Sequence, residues 1–225
     1  MRKISVIISL VLMTGLLFLN GISQPASIRN VKPERKSTGD SVVVDNQYVT
    51  VRRNSGEFTS ASSPGYGTRV IVALGSMKIK SNRGKTKLER GSVAVLKANE
   101  SYRTRRGDYF EIALKTDHPP VKGPEEWIEP EKNTVVYDDP EIRIFEERLA
   151  PGETRALHSH AQRVVVRLNH VQLTDPRIRP EGSPGGGIQV PNTARFAEPV
   201  VHVVKNLSKD TPLFNIVIEF KYAHH

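Results

Sequence analysis

From Ser41 onward the chain reads as short runs rich in Val and Ile, separated by Gly, Pro, Asn and Asp. The runs are Ser41 to Arg52, Thr68 to Lys80, Ser92 to Ala98, Tyr109 to Lys115, Thr134 to Arg148, Arg163 to Leu173 and Leu213 to Tyr222. Their length and composition predict strands. No window of a dozen residues repeats its apolar positions at the 3.6-residue period of a helix, so the expected class is all-β.

The runs also repeat. "RVIVALGSMKIKS" from Arg69 resembles "RVVVRLNHVQLTD" from Arg163, and Gly56-Glu57 precedes the first as Gly152-Glu153 precedes the second. "SVVVDNQYVTVRR" echoes "TVVYDDPEIRIFEER", and "DYFEIALK" echoes "LFNIVIEFK". The offset, about 95 residues, far exceeds the period of a solenoid or a propeller blade, so each copy is expected to be a whole small domain. Six to eight short strands per copy suit a closed barrel or jelly roll, in which alternate residues of a strand project into the interior. The domains are placed at 41–117 and 134–225, joined by a linker over 118–133 that is dense in Pro and Glu.

The N-terminal stretch has another pattern. Met1, Arg2 and Lys3 precede a largely apolar stretch of 16 residues from Ile4 to Leu19, then Asn20, Gly21, Ile22 and Ser23. A basic end, a short apolar core and small residues form a secretory signal, expected over 1–23 and cut after Ser23. The apolar core falls short of the roughly 20 residues of a spanning helix, so no stable membrane insertion is expected after cleavage. Residues 24–40 are polar and aperiodic and read as a flexible linker. The absence of cysteine suits an exported, periplasmic or secreted protein.

Net charge is +9, and +7 without Arg2 and Lys3. Basic residues are spread along the chain, and a single Trp leaves no interleaving of basic and aromatic residues. A solvated basic surface is therefore expected, with no nucleic-acid partner. A homodimer is among the assemblies this surface allows.

Candidate chemistry lies in the second copy. His158 and His160 in "PGETRALHSHAQRVVVRL" are two residues apart on an expected strand, so both rings point to one face. His202, in the strand-like "AEPVVHVVKN", can approach from another strand. Three imidazoles converging on a cavity suit Fe, Mn, Zn or Ni and leave coordination positions open. The places in the first copy that match the histidine pair hold Ser62 and Pro64, which bind no metal. "GSPGGG" over Gly182 to Gly187 lacks the Lys-Ser/Thr of a phosphate loop and reads as a crossover. His170 follows a turn signal, and His224 and His225 are terminal.

On these residues the second copy resembles the cupin superfamily, whose first motif is Gly, five residues, His-x-His, then Glu, and whose second ends in His, three residues, Asn. Gly152, His158 and His160 match the first, and His202 and Asn206 the second. The resemblance implies two tandem cupin-type double-stranded β-helix (jelly-roll) barrels, the first degenerate. It also implies His158, His160 and His202 as ligands of one divalent metal, with Asn206 in the following turn. The departures matter: Val164 and Val165 stand where the glutamate is due, and the nearest polar residues are Gln162 and Arg163. Gln162 shares strand parity with the pair and offers an amide oxygen. Arg163 cannot ligate a metal, so it is turned away, pairs with an anionic substrate, or marks a barrel that has lost its metal.

Three functions follow as expectations. The first is a small-molecule-binding barrel with a three-His metal, acting as a dioxygenase-like enzyme, an isomerase or a lyase. The second is a metal-free barrel that takes an anionic or sugar-like ligand on Arg163 and Gln162. The third is a structural tandem barrel with no cofactor.

Overall fold

The structure is a computed structural model that describes residues 40–60, 65–131, 133–179 and 184–222. The expected leader, all of the 24–40 linker except Asp40, and Ser62, Pro64, Gly182, His224 and His225 lie outside the described residues.

Eighteen strands and no helix are formed among the described residues. The first copy contributes β1 (Ser41–Asp45), β2 (Val49–Ser55), β3 (Phe58–Ser60), β4 (Tyr66–Ala73), β5 (Met77–Ser81), β6 (Gly84–Leu88), β7 (Val93–Leu96), β8 (Tyr102–Thr104) and β9 (Asp108–Lys115). The second contributes β10 (Asn133–Asp138), β11 (Ile142–Leu149), β12 (Thr154–His160), β13 (Arg163–Arg167), β14 (Val171–Arg179), β15 (Pro184–Gln189), β16 (Thr193–Ala197), β17 (Val200–Asn206) and β18 (Leu213–Phe220). Each copy folds into a five-stranded and a four-stranded antiparallel sheet, ordered β1-β2-β9-β4-β7 with β3-β8-β5-β6, and β10-β11-β18-β13-β16 with β12-β17-β14-β15. The all-β, tandem-barrel class is that expected from the repeat.

Several expected strands divide, for a local reason. Ser41 to Arg52 breaks at Asn46, whose Oδ1 accepts the N–H groups of Tyr48 and Val49 at 2.9 and 3.0 Å. Thr134 to Arg148 breaks at Asp139, which accepts from Glu141 and Ile142 at 2.8 and 2.9 Å. An Asn or Asp that bonds the backbone two and three residues ahead makes a tight turn inside an otherwise strand-like run. Both copies begin with this hairpin, and both carry a register shift in its first strand.

The inner strands of the five-stranded sheets are buried on both faces, which is why "RVIVAL" and "RVVVRL" do not alternate in polarity. In β4, Val70 and Val72 face the other barrel, where they join Ile112, Ile144, Val164, Val166 and Ile218 in one apolar core. Ile71 and Ala73 point instead into the first barrel, against Phe58, Met77 and Tyr109. The described residues of the two copies thus belong to one compact unit. Polar contacts border the shared core: Lys97 bonds Asp139 at 2.6 Å, the Thr68 hydroxyl donates to Glu141, and Arg90 donates to Asn192 at 2.9 Å and to the Leu168 carbonyl.

Beside Arg90, Gly91 (φ +82°) lies so close to the second barrel that a Cβ there would come 2.6 Å from the Phe214 ring. Gly91→Ala should therefore lower stability by about 1–3 kcal/mol, from backbone strain plus overpacking. Gly75→Ala, with open space around its Cβ, should be nearly neutral. Thermal unfolding of the two variants checks this, and equal midpoints would refute it.

Candidate metal centre

Strand β12 sits at the edge of its sheet, and the segment between the barrels braces it. The Ser159 N–H donates to the Ile128 carbonyl at 3.0 Å, and the Ile128 N–H donates to Ser159 Oγ at 2.7 Å. The Lys122 N–H donates to Gln162 Oε1 at 2.9 Å. Gly123 lies under the Tyr222 ring, where a Cβ would come within 2.2 Å of it. Ser159 thus faces this strap while His158 and His160, on either side of it, face the interior.

His158 and His202 are direct partners across β12 and β17. The ring centroids of His158, His160 and His202 are 4.4, 4.9 and 5.4 Å apart in pairs, and one ligand nitrogen from each lies within 4.8 Å of the others. All three are buried, at 1, 2 and 5 % exposure, and the His160 ring stacks on Phe145. Three buried histidines so placed could hold a divalent metal.

Hydrogen bonding fits such an ion. His158 Nδ1 is 2.8 Å from the Ala156 carbonyl, which only an N–H can satisfy, so its proton lies on Nδ1. Its Nε2 is left as a buried lone pair with no hydrogen bond. His160 Nδ1 faces Glu219 Oε1 at 3.2 Å, and the same oxygen accepts the Ala161 N–H at 2.9 Å. A carboxylate behind an imidazole orients it for a metal on its other nitrogen. Burial, then the His202 charge, pulls His158 down to about 4. Burial, then Arg163, pulls His160 well below the ordinary imidazole value. Both rings are neutral at pH 7, the form that ligates. Burial pushes Glu219 up to about 7, against the pull of Arg163 and the Ala161 N–H.

The other two expected site residues are not in the ligand set, although Arg163 lines the cavity beside His160 and His202. Arg163 is buried, and its Nη1 donates to the Ala161 and Glu198 carbonyls at 3.1 and 2.9 Å. Gln162, wholly buried, donates to Glu198 at 2.9 Å while its oxygen receives Lys122. Neither belongs to the histidine cluster.

Beneath the cluster lies a network that parity did not reveal. Arg155 donates to Glu147 at 3.0 Å, Asn215 donates to the other Glu147 oxygen at 2.7 Å, and Gln189 donates to Asn215 at 2.7 Å. Glu147, Asn215 and Glu219 are polar residues at inward positions of "IRIFEERL" and "LFNIVIEF", a signal present in the sequence. Arg155 was hidden because a register shift between Arg155 and His158 breaks the alternation. A cavity of about 40 Å³ adjoins the cluster, its lining including Glu147, His160, Gln189, Arg195 and His202. A neighbouring cavity shares Leu173, Gln189 and Arg195 with it and adds Arg167. Burial and then Arg195 pull Arg167 below the ordinary guanidinium value. Larger clefts of about 320 and 210 Å³ lie at the barrel junction and beside Trp127, but none of the three histidines lines them.

The interior of the first barrel carries aromatic rings and an ion pair instead of histidines among the described residues. Tyr102, Tyr109 and Phe58 occupy it, and Arg69 pairs with Glu111 at 3.5 Å.

No protein-family model matches the chain, and no curated protein matches it. Solved structures do. The fold is similar to that of a cupin 2 conserved barrel domain protein from Leptotrichia buccalis, at 15% identity over 81% of this chain and 88% of that one, TM-score 0.52. It is also similar to an IolB-like protein from Salmonella typhimurium (9%, 79% and 88%, TM-score 0.55). A third is a variant of the oxalate decarboxylase of Bacillus subtilis (13%, 82% and 73%, TM-score 0.54). The architecture is therefore the cupin fold, present in tandem.

Proposed function

We propose that this tandem cupin-fold chain binds a small anionic molecule in its second barrel, at one divalent metal held by His158, His160 and His202. The observation that carries the reading is the buried, unbonded Nε2 of His158 among imidazoles already oriented through their opposite nitrogens. An orphaned buried acceptor costs about 1–3 kcal/mol, and a cation among the three rings would offset it. When bound, the metal would supply Lewis acidity, and redox chemistry if it is Fe or Mn. The oxalate decarboxylase of Bacillus subtilis has Mn(II) centres, which makes Mn the first ion to try.

The chain's own residues divide the remaining work. Glu219 and the Ala156 carbonyl hold two imidazoles in the ligating tautomer, and Phe145 backs the His160 ring. Arg167 and Arg195 line the cavity that leads to the cluster, where their charge would draw in a carboxylate. A three-His centre leaves adjacent positions open for a bidentate anion, which suits a dioxygenase-like, isomerase or lyase reaction in the exported compartment expected from the leader.

Elemental analysis of the untagged chain tests the reading: about one equivalent of metal per chain is expected, and none would leave a metal-free barrel. The anionic part has its own test. Arg167→Gln with Arg195→Gln should weaken oxalate binding to the Mn-loaded chain by about tenfold or more, since charged hydrogen bonds are lost, without changing Mn content. Unchanged oxalate affinity would refute the role of the two arginines.

A further inference from the structure

The even spread of basic residues expected above does not describe the net charge, which is concentrated in one stretch of the chain. Residues 77–106 hold ten Lys and Arg against two Glu, a net +8 in a chain of net +9. The hairpin β5–β6 and strand β8 bring many of these onto one surface. Register sets Lys78 opposite Lys87, Lys80 opposite Lys85, and Lys80 also opposite Arg103 on its other side. The residues between them, Met77, Ile79, Leu88, Tyr102 and Thr104, are buried, so the five cations share the outward face and all are exposed.

Like charges directly opposed on a sheet weaken it, and among the described residues two carboxylates answer them: Glu89 on Lys87 at 2.6 Å and Glu57 on Arg103. A barrel with no external partner has no use for three such oppositions side by side.

From this arrangement we infer that the outer face of β8-β5-β6 docks on an anionic bilayer. Three features select a membrane over a polyanionic chain. The cations spread in two dimensions, about 5 Å apart between strands and 7 Å along them, so they match a plane of headgroups better than one line of phosphates. Four of the five are Lys, a compact point charge without the fork that reads a fixed pair of oxygens. The face carries no aromatic ring on which a base could stack, and among the described residues none of the large exposed apolar side chains lies between Val43 and Trp127. Attachment is therefore electrostatic, shallow and sensitive to salt.

Vesicle co-sedimentation of the full chain tests this, comparing phosphatidylcholine alone with phosphatidylcholine containing about 30 mol % phosphatidylglycerol, at ~0.1 and ~0.5 M NaCl. The leader, with Arg2 and Lys3 beside the apolar segment Ile4 to Leu19, is the same in every variant, so the quantity read is the change each substitution makes in the extra binding that anionic lipid confers. That extra binding should appear at low salt and vanish at high salt. Each Lys near the surface is worth about a factor of five, so Lys80→Ser with Lys85→Ser should lower it roughly twentyfold. Removing this opposed pair relieves repulsion, so the variant should fold at least as well as the parent. Lys205→Ser with Lys209→Ser, the same charge change at exposed sites of the second barrel, should leave binding unaltered. The inference is overturned by no anionic-lipid dependence, by equal loss in both double variants, or by tighter binding at equal salt to duplex DNA or polygalacturonate than to the vesicles.

Discussion

Replacing His160 by alanine is expected to abolish stoichiometric metal uptake, lowering affinity by well over the 10- to 100-fold typical when only a residue behind a ligand is lost. His160 is held on two sides: Phe145 stacks on it at an interplanar angle of 9°, and Glu219 fixes its Nδ1. The loss therefore removes a pre-oriented donor from a site with no carboxylate ligand in reserve. Among the described residues the cluster of metal-ligating donors stops at the three histidines, and Glu147 is committed to Arg155 and Asn215. Glu219→Gln keeps the ring in place but weakens its orienting partner, so it should cost only the smaller, 10- to 100-fold factor. Calorimetric titration of Mn²⁺ or Zn²⁺ into the metal-free chain measures both. A His160→Ala variant that binds as tightly as the parent would remove the three-His centre from consideration.

The sequence revealed class and repeat because both depend on period. The spacing of the Val- and Ile-rich runs, the lack of a helical period and the offset of about 95 residues survive any detail of turn or register. The histidine cluster was legible for the same reason: two rings with shared parity and a third on another strand. What was not legible depends on departures from period or on pairing between distant strands. Asn46 and Asp139 fold their runs in two through side-chain bonds to the backbone. The register shift after Arg155 turns a residue of the wrong parity inward. Lys80 meets Lys85 and Arg103 only through the register of three strands, so which cations of the stretch become neighbours on one face was not legible in the sequence. The segment over 118–133 reads as a spacer because its composition is Pro- and Glu-rich, yet Ile128 and Lys122 bond the histidine-bearing strand and the residue just beyond it.

Arg155→Met is expected to destabilise the metal-free chain by about 3–5 kcal/mol, because it strands a buried carboxylate. Burial alone would raise the Glu147 carboxyl, and Arg155 followed by Asn215 outweighs it, holding the group ionised below the ordinary carboxylate range. Arg155 is 1 % exposed and Glu147 is 7 % exposed, so water cannot take the place of the missing partner. With roughly 2–4 °C lost per kcal/mol in a domain of this size, the unfolding midpoint should fall by about 6–20 °C. Adding Glu147→Leu should recover most of the loss, since an apolar pair often replaces a buried ion pair at little cost. The site adds a second, sharper expectation. Glu147 is coupled electrostatically to His158 and His202, so a cation among the histidines lies within reach of its charge. In the parent that cation is opposed by Arg155, whereas in Arg155→Met it meets Glu147 alone. Saturating Mn²⁺ should therefore raise the midpoint of Arg155→Met by more than it raises that of the parent, and in Arg155→Met with Glu147→Leu this extra gain should disappear. Thermal unfolding followed by circular dichroism, with and without Mn²⁺, separates these outcomes. An equal metal-induced shift in all three chains would show that Glu147 does not sense an ion among the histidines.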